Sequence, residues 1–133
     1  MPSLIPCLKY KDAPAAIAFL KDAFGFTEKA VYADPIDPKI IHHAELTLGD
    51  SMLMLGSVGH GEERVVTPQE TGKNTMSLYA LIDDADAHSV HARLHGATIL
   101  REPHDNEGYP GRSYDVIDTE GHLWNFGTYN PWA

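Results

Sequence analysis

Tyr10-Lys11-Asp12-Ala13-Pro14-Ala15-Ala16-Ile17-Ala18-Phe19-Leu20-Lys21-Asp22-Ala23-Phe24-Gly25-Phe26 reads as the end of a strand, a capped helix and its stop. Asp12 is placed to accept hydrogen bonds from the orphan amides of a first helical turn. Ala16, Phe19, Leu20, Ala23 and Phe24 recur at helical spacing, which predicts one apolar face. Gly25 suits the left-handed conformation that ends helices. The pattern returns 72 positions later: Asp84-Ala85-Asp86-Ala87 opens a second helix, Val90 and Leu94 continue its apolar face, and Gly96 stops it.

The flanks of both helices repeat as well. Leu4 to Tyr10 precedes the first helix and Met76 to Ile82 precedes the second, and both read as strands. Extended segments follow at Thr27 to Tyr32 and Thr98 to Glu102. Then come two hairpins: His43 to Leu48 turning at Gly49-Asp50 into Met52 to Gly56, and Ser113 to Ile117 turning at Asp118-Thr119-Glu120-Gly121 into Leu123 to Gly127. The chain therefore reads βαβββ twice, with modules at about 2–57 and 75–130 and a polar linker at about 58–74. One helix per module among several strands predicts an α+β fold in a single domain over 1–133. One module alone leaves a sheet face uncovered, so two are expected to build a curved mixed sheet around a cavity.

At 133 residues, 43% of them hydrophobic, the chain is long enough for a core without staples. Its single cysteine, Cys7, excludes an internal disulfide. A formal charge of -9 opposes phosphate backbones and anionic membranes, so neither nucleic acid nor a membrane is expected as a partner. No apolar run is long enough to span a bilayer. Met1 to Pro6 shows no basic region followed by an apolar stretch, which predicts no signal peptide and a cytoplasmic location.

The duplicated pattern resembles the vicinal-oxygen-chelate superfamily, which includes glyoxalases, bleomycin resistance proteins and dioxygenases. Tyr10 to Phe26 is similar to that family's opening strand and helix, and Asp118-Thr119-Glu120-Gly121-His122-Leu123-Trp124-Asn125-Phe126-Gly127-Thr128-Tyr129 to its closing hairpin. In metal-dependent members the resemblance places ligands on the first and last strands of each module. Carried over by the internal repeat, those positions fall at Ile5 and Met54 in the first module and at Ser77 and Asn125 in the second. Isoleucine cannot ligate, a thioether suits soft copper(I), and Ser and Asn are weak neutral donors. The expectation is no metal and no cofactor.

Without a Lewis acid, the isomerase, dioxygenase and thiol-transfer chemistries of the family lose their means of stabilising charge. What the resemblance leaves is binding: a homodimer that sequesters an antibiotic or metabolite in a cleft. The alternative is a divalent-metal-dependent lyase or dioxygenase with a displaced ligand set, for which His43, Glu45 and His122 are the candidates.

The expected cavity residues are Ile5, Cys7, Met52, Met54, Ser77, Tyr79, Tyr109, Arg112 and Asn125. Alternation places Asn125 on the opposite sheet face from Trp124 and Phe126, which should pack on a helix. Ser77 and Asn125 either bond a ligand or pair across strands. Met52 and Met54 share a face and either line an adaptable pocket or belong to the core. Tyr79 shares the face of Ser77 and is placed to stack on an aromatic ligand. Tyr109 and Arg112 flank a loop, where the Arg112 fork binds either a ligand anion or an internal carboxylate. Cys7 has the parity of Ile5, and only Lys9 is near enough in sequence to activate its thiol. His88, His91 and His95 fall on the second helix, where a solvated face competes with a metal clamp. Asp83-Asp84 and Glu62-Glu63 read as turn and linker charges.

Overall fold

In a computed structural model, residues 2–60 and 64–133 are described. Gly61 and the Glu62-Glu63 pair of the linker lie outside them. The first module runs β1 (Cys7–Tyr10), α1 (Ala13–Phe24), β2 (Thr27–Ala33), β3 (Ile41–Leu48) and β4 (Ser51–Ser57). Next comes α2 (Pro68–Thr71), a single turn that the polar linker composition hides. Thr67 caps it by accepting from the Glu70 amide at 3.3 Å. The second module runs β5 (Ser77–Leu81), α3 (Ala85–Leu94), β6 (Thr98–Asp105), β7 (Arg112–Ile117) and β8 (Leu123–Gly127).

The two long helices form for the reasons their sequences give. Asp12 accepts from the Ala15 amide at 3.1 Å, and Asp84 from the Ala87 amide at 3.0 Å. Gly25 ends α1 at φ 84°, a conformation that costs any residue with a Cβ. The first strand begins at Cys7 rather than Leu4. Pro6 has no amide to donate, although its carbonyl still accepts from the Met54 amide at 3.0 Å.

Each module folds its strands into its own mixed sheet, ordered β1-β4-β3-β2 and β5-β8-β7-β6. In both, the first and last strands of the module run parallel and the hairpin strands antiparallel. The curved wall is thus built as two sheets of four strands. Among the described residues no ladder joins them, and β1 and β5 are both edges.

The core lies between the helices and the inner sheet faces. Ala44 and Leu46 of β3, Leu53 and Leu55 of β4, Tyr114 and Val116 of β7, and Trp124 and Phe126 of β8 all point inward and are buried. Trp124 and Phe126 do pack on helices, Phe126 on both: the His88 ring of its own module's α3 lies 4.3 Å away, and α1 of the other module reaches both rings. The Phe24 ring of α1 lies 5.2 Å from Trp124 and 4.8 Å from Phe126. Aromatic pairs at such separations add to the area they bury. The first helix therefore ties the second sheet to the first.

Candidate ligand-binding faces

Because the helices take one face of each sheet, the other face is left open. Register fixes which residues stand there. In the first sheet Cys7, Met54, Glu45 and Ala30 form one row across four strands. In the second, Tyr79, Asn125, Asp115 and Arg101 form the corresponding row. Met54 and Asn125 hold the same place in the two rows. Ile5 and Ser77 stand two residues before Cys7 and Tyr79, so each joins its open face by alternation.

Of the four positions that the resemblance marks for a metal, Met54, Ser77 and Asn125 stand on the two sheets, and Ile5 lies just ahead of β1. Their side chains do not fit a divalent cation. Ile5 has no donor atom, and Met54 offers a thioether. The Asn125 amide nitrogen is committed, donating to Asp115 Oδ1 at 2.6 Å and to the Tyr114 carbonyl at 3.2 Å. What is left, the Ser77 hydroxyl and one amide oxygen, is too weak a donor set to hold zinc, nickel or iron(II).

A groove of about 1040 Å³ lies between β5 and the segment Ser3 to Pro6 ahead of β1, with the β3–β4 turn along it. Of the expected cavity residues it is lined by Ile5, Met52 and Tyr79, and it reaches inward to Phe26, His88 and Trp124. A smaller pocket of about 330 Å³ takes in Cys7 and His122 beneath the linker. Met54, Ser77, Tyr109, Arg112 and Asn125 line neither. Within one chain the nine residues are therefore not gathered in one cavity, and Arg112 turns to Asp86 of α3 on the helix side of its sheet.

Arg112 opens β7 and makes a two-pronged ion pair with Asp86 at 2.9 and 3.0 Å, with Asp105 at 3.3 Å. These contacts raise the Arg112 pKa and lower that of Asp86. Of the two partners expected for that fork, the internal carboxylate is the one present. Cys7 is exposed. His91 donates to the Asp22 carbonyl at 2.7 Å, and its ring lies 4.5 Å from that of His95. Among the described residues, no three of His, Cys, Asp and Glu are grouped so as to hold a metal.

His43 and Glu45 do meet, with Nε2 and Oε2 at 2.9 Å. That hydrogen bond, followed by the one from Lys29, lowers the Glu45 pKa. His122 is elsewhere. It is buried in the β7–β8 turn with Nε2 donating to the Lys9 carbonyl at 2.9 Å.

The closing hairpin carries a network that sequence reasoning missed. Asp118 is buried and accepts four hydrogen bonds. Tyr10 Oη at 2.6 Å and Trp124 Nε1 at 3.1 Å donate to its Oδ2. The amides of Glu120 and His122, both at 3.1 Å, donate to its Oδ1. Glu120 accepts in turn from the amides of Lys11 and Asp12, at 2.5 and 2.8 Å, just ahead of α1. A carboxylate at a helix start also meets the positive end of the helix dipole. Burial, then the Asp118 charge, pushes the Tyr10 pKa well up. The network joins the modules and is fully satisfied, so it has no free group to offer a substrate.

His88 is half-buried on α3, its Nδ1 sharing a 2.5 Å hydrogen bond with the buried Tyr114 hydroxyl. Burial, then the nearby His91, lowers the His88 pKa. Nothing in the spacing of α3 announces this contact, because Tyr114 lies 26 residues away.

Comparison with known proteins agrees with this architecture. The family model described as "Glyoxalase/Bleomycin resistance protein/Dioxygenase superfamily" matches residues 7–126. An uncharacterized protein of Mycobacterium bovis is 30% identical over 128 residues, covering 95% of this chain and 82% of that one. The crystal structure of TioX from Micromonospora sp. ML1 is similar at a TM-score of 0.72 and 28% identity, over 95% of this chain and 94% of that one. A glyoxalase-related enzyme from Fulvimarina pelagi shares the fold at a TM-score of 0.72 and 18% identity, over 98% and 89% of the two chains. On its sequence, its paired βαβββ modules and these matches, the chain belongs to the glyoxalase/bleomycin resistance protein/dioxygenase superfamily.

Proposed function

We propose that this protein binds a small molecule without transforming it, as a sequestering protein for an antibiotic or metabolite. The observation that carries the reading is the side-chain set at Ile5, Met54, Ser77 and Asn125, which lacks every imidazole and carboxylate that a divalent cation would need. The open faces and the groove beside β5 support it. The groove is lined by apolar and aromatic side chains such as Ile5, Met52, Tyr79 and Trp124 with polar groups among them, and the open faces set polar side chains beside Met54 and Tyr79. Ile5, Cys7, Met52, Met54, Ser77, Tyr79, Tyr109 and Asn125 form the cleft in this proposal, with Arg112 on its rim. The cleft is completed when two chains join as a homodimer and set an open face of one against an open face of the other.

The test is metal content by mass spectrometry on untagged protein, dialysed against zinc, nickel, iron(II) and manganese and then against buffer alone. The expected result is far less than one equivalent retained per chain. Tight retention of one equivalent would overturn the reading and would send mutagenesis to His43, Glu45 and His122, the first two of which already form a 2.9 Å pair.

A further inference from the structure

The two open faces are related by the internal repeat, yet their chemistry differs at the two central positions of the row. In the first sheet Glu45 has both oxygens occupied: Lys29 Nζ lies 3.4 Å from Oε1, and His43 Nε2 lies 2.9 Å from Oε2. Its neighbour in the row is Met54, which makes no demand on it. In the second sheet Asp115 takes the place of Glu45, and Asn125 that of Met54.

Asn125 donates to Asp115 Oδ1 and to the Tyr114 carbonyl, and both partners are acceptors. That fixes the amide orientation: the nitrogen faces Asp115, and Asn125 Oδ1 points away. Neither Asn125 Oδ1 nor Asp115 Oδ2 accepts a hydrogen bond among the described residues. Arg101, the cross-strand partner of Asp115 on its other side, is exposed and forms no ion pair with it among those residues. Two acceptor oxygens on half-buried residues thus stand side by side at the centre of an open sheet.

An aromatic wall stands next to them. Tyr79 is the β5 neighbour of Asn125, and its hydroxyl donates to the Tyr129 carbonyl at 2.6 Å. The Tyr129 ring meets Tyr109 edge to face, with centroids 5.3 Å apart at 83°. The loop carrying Tyr109 is built, not loose. Asn106 Nδ2 donates to the Pro110 carbonyl at 2.9 Å, and Ser113 Oγ donates to Asn106 Oδ1 at 2.8 Å. Tyr79 and Tyr109 are 44% and 51% exposed, so ring surface is available for stacking.

We infer that the open face of the second sheet holds a cationic, nitrogen-rich aromatic ligand, with its N–H groups on Asn125 Oδ1 and Asp115 Oδ2 and its ring against the tyrosine wall. The inference rests on the binding reading above and names its ligand class. Acceptors without donors call for a ligand that donates. A carboxylate beside tyrosine faces favours a delocalised cation over an anion or a neutral ring. The -9 net charge steers such a cation inward.

The experiment is a fluorescence titration with the planar bis-amidine DAPI and with the neutral probe N-phenylnaphthylamine, at fixed ionic strength. Three variants are compared with the wild type: Asp115→Asn, Tyr109→Ala and Asp22→Asn, the last removing the same charge from the surface of α1. The substituted amide oxygen still accepts from Asn125, so the sheet is retained, and unchanged N-phenylnaphthylamine binding confirms this. The expected result is DAPI binding weakened about tenfold by Asp115→Asn, weakened also by Tyr109→Ala, and unmoved by Asp22→Asn. If N-phenylnaphthylamine binds but DAPI binds no better, or if Asp115→Asn and Asp22→Asn act alike, the ligand class is wrong while the binding reading stands. If neither probe binds, the binding reading fails and this inference with it.

Discussion

Asp118 shows how a single carboxylate can hold two modules together. Its two oxygens take a phenol from β1, an indole from β8 and two amides of its own turn. An asparagine there keeps one acceptor and turns an amide nitrogen toward two donors. Hydrogen bonds to a charged group contribute more than neutral ones, and a buried donor left unmatched costs more still. Asp118→Asn is therefore expected to lower the unfolding free energy by about 2–4 kcal/mol, read from urea denaturation. A change under about 0.5 kcal/mol, the ordinary range for a surface position, would show that the network is replaceable. The turn was legible through Gly121, but this role was not. Tyr10 and Asp118 are 108 residues apart, and no local pattern connects them.

At the scale of elements the sequence was most readable, because helix caps and periodicity are local physics. Asp12, Asp84 and Gly25 act as their residue types predict. The mistaken boundaries come from equally local effects. Pro6 shortens β1 by withholding an amide, and α2 hides because one turn is too short to show a period. What local signals do not encode is which sheet a helix serves. Phe24 reads as the core face of its own module, yet its ring packs on Trp124 and Phe126 of the other. Phe24→Ala is accordingly expected to cost about 3–5 kcal/mol, the range for emptying an aromatic site in a close-packed core. It should also loosen the second sheet. Amide exchange in β8 should accelerate along with that in α1. Faster exchange confined to α1 would mean that the modules are energetically separate.

At the scale of the molecule, the repeat identified equivalent positions in the two modules but not their assembly. Met54 and Asn125 were found because module register is duplicated, and the ladders place both as the repeat requires. How the modules sit against each other follows from helix packing and the Asp118 clamp, which a repeat does not specify. Asp115 escaped notice for the same reason: its meaning lies in its cross-strand neighbour. The arrangement leaves two sheets whose β1 and β5 edges make no ladder with each other among the described residues, flanked by Leu4 at 97% and Trp132 at 92% exposure. Unpaired edges and large exposed apolar side chains are liabilities for a chain alone in water. In the proposed homodimer a second copy laid across them would cover both and close the open faces into clefts. Light scattering should then give twice the chain mass at micromolar concentration, and Trp132→Ser should shift the balance toward monomer. A wild-type monomer at every concentration that still binds DAPI would separate the two ideas: the ligand face would be complete within one chain, and the shared cleft would be removed from the account.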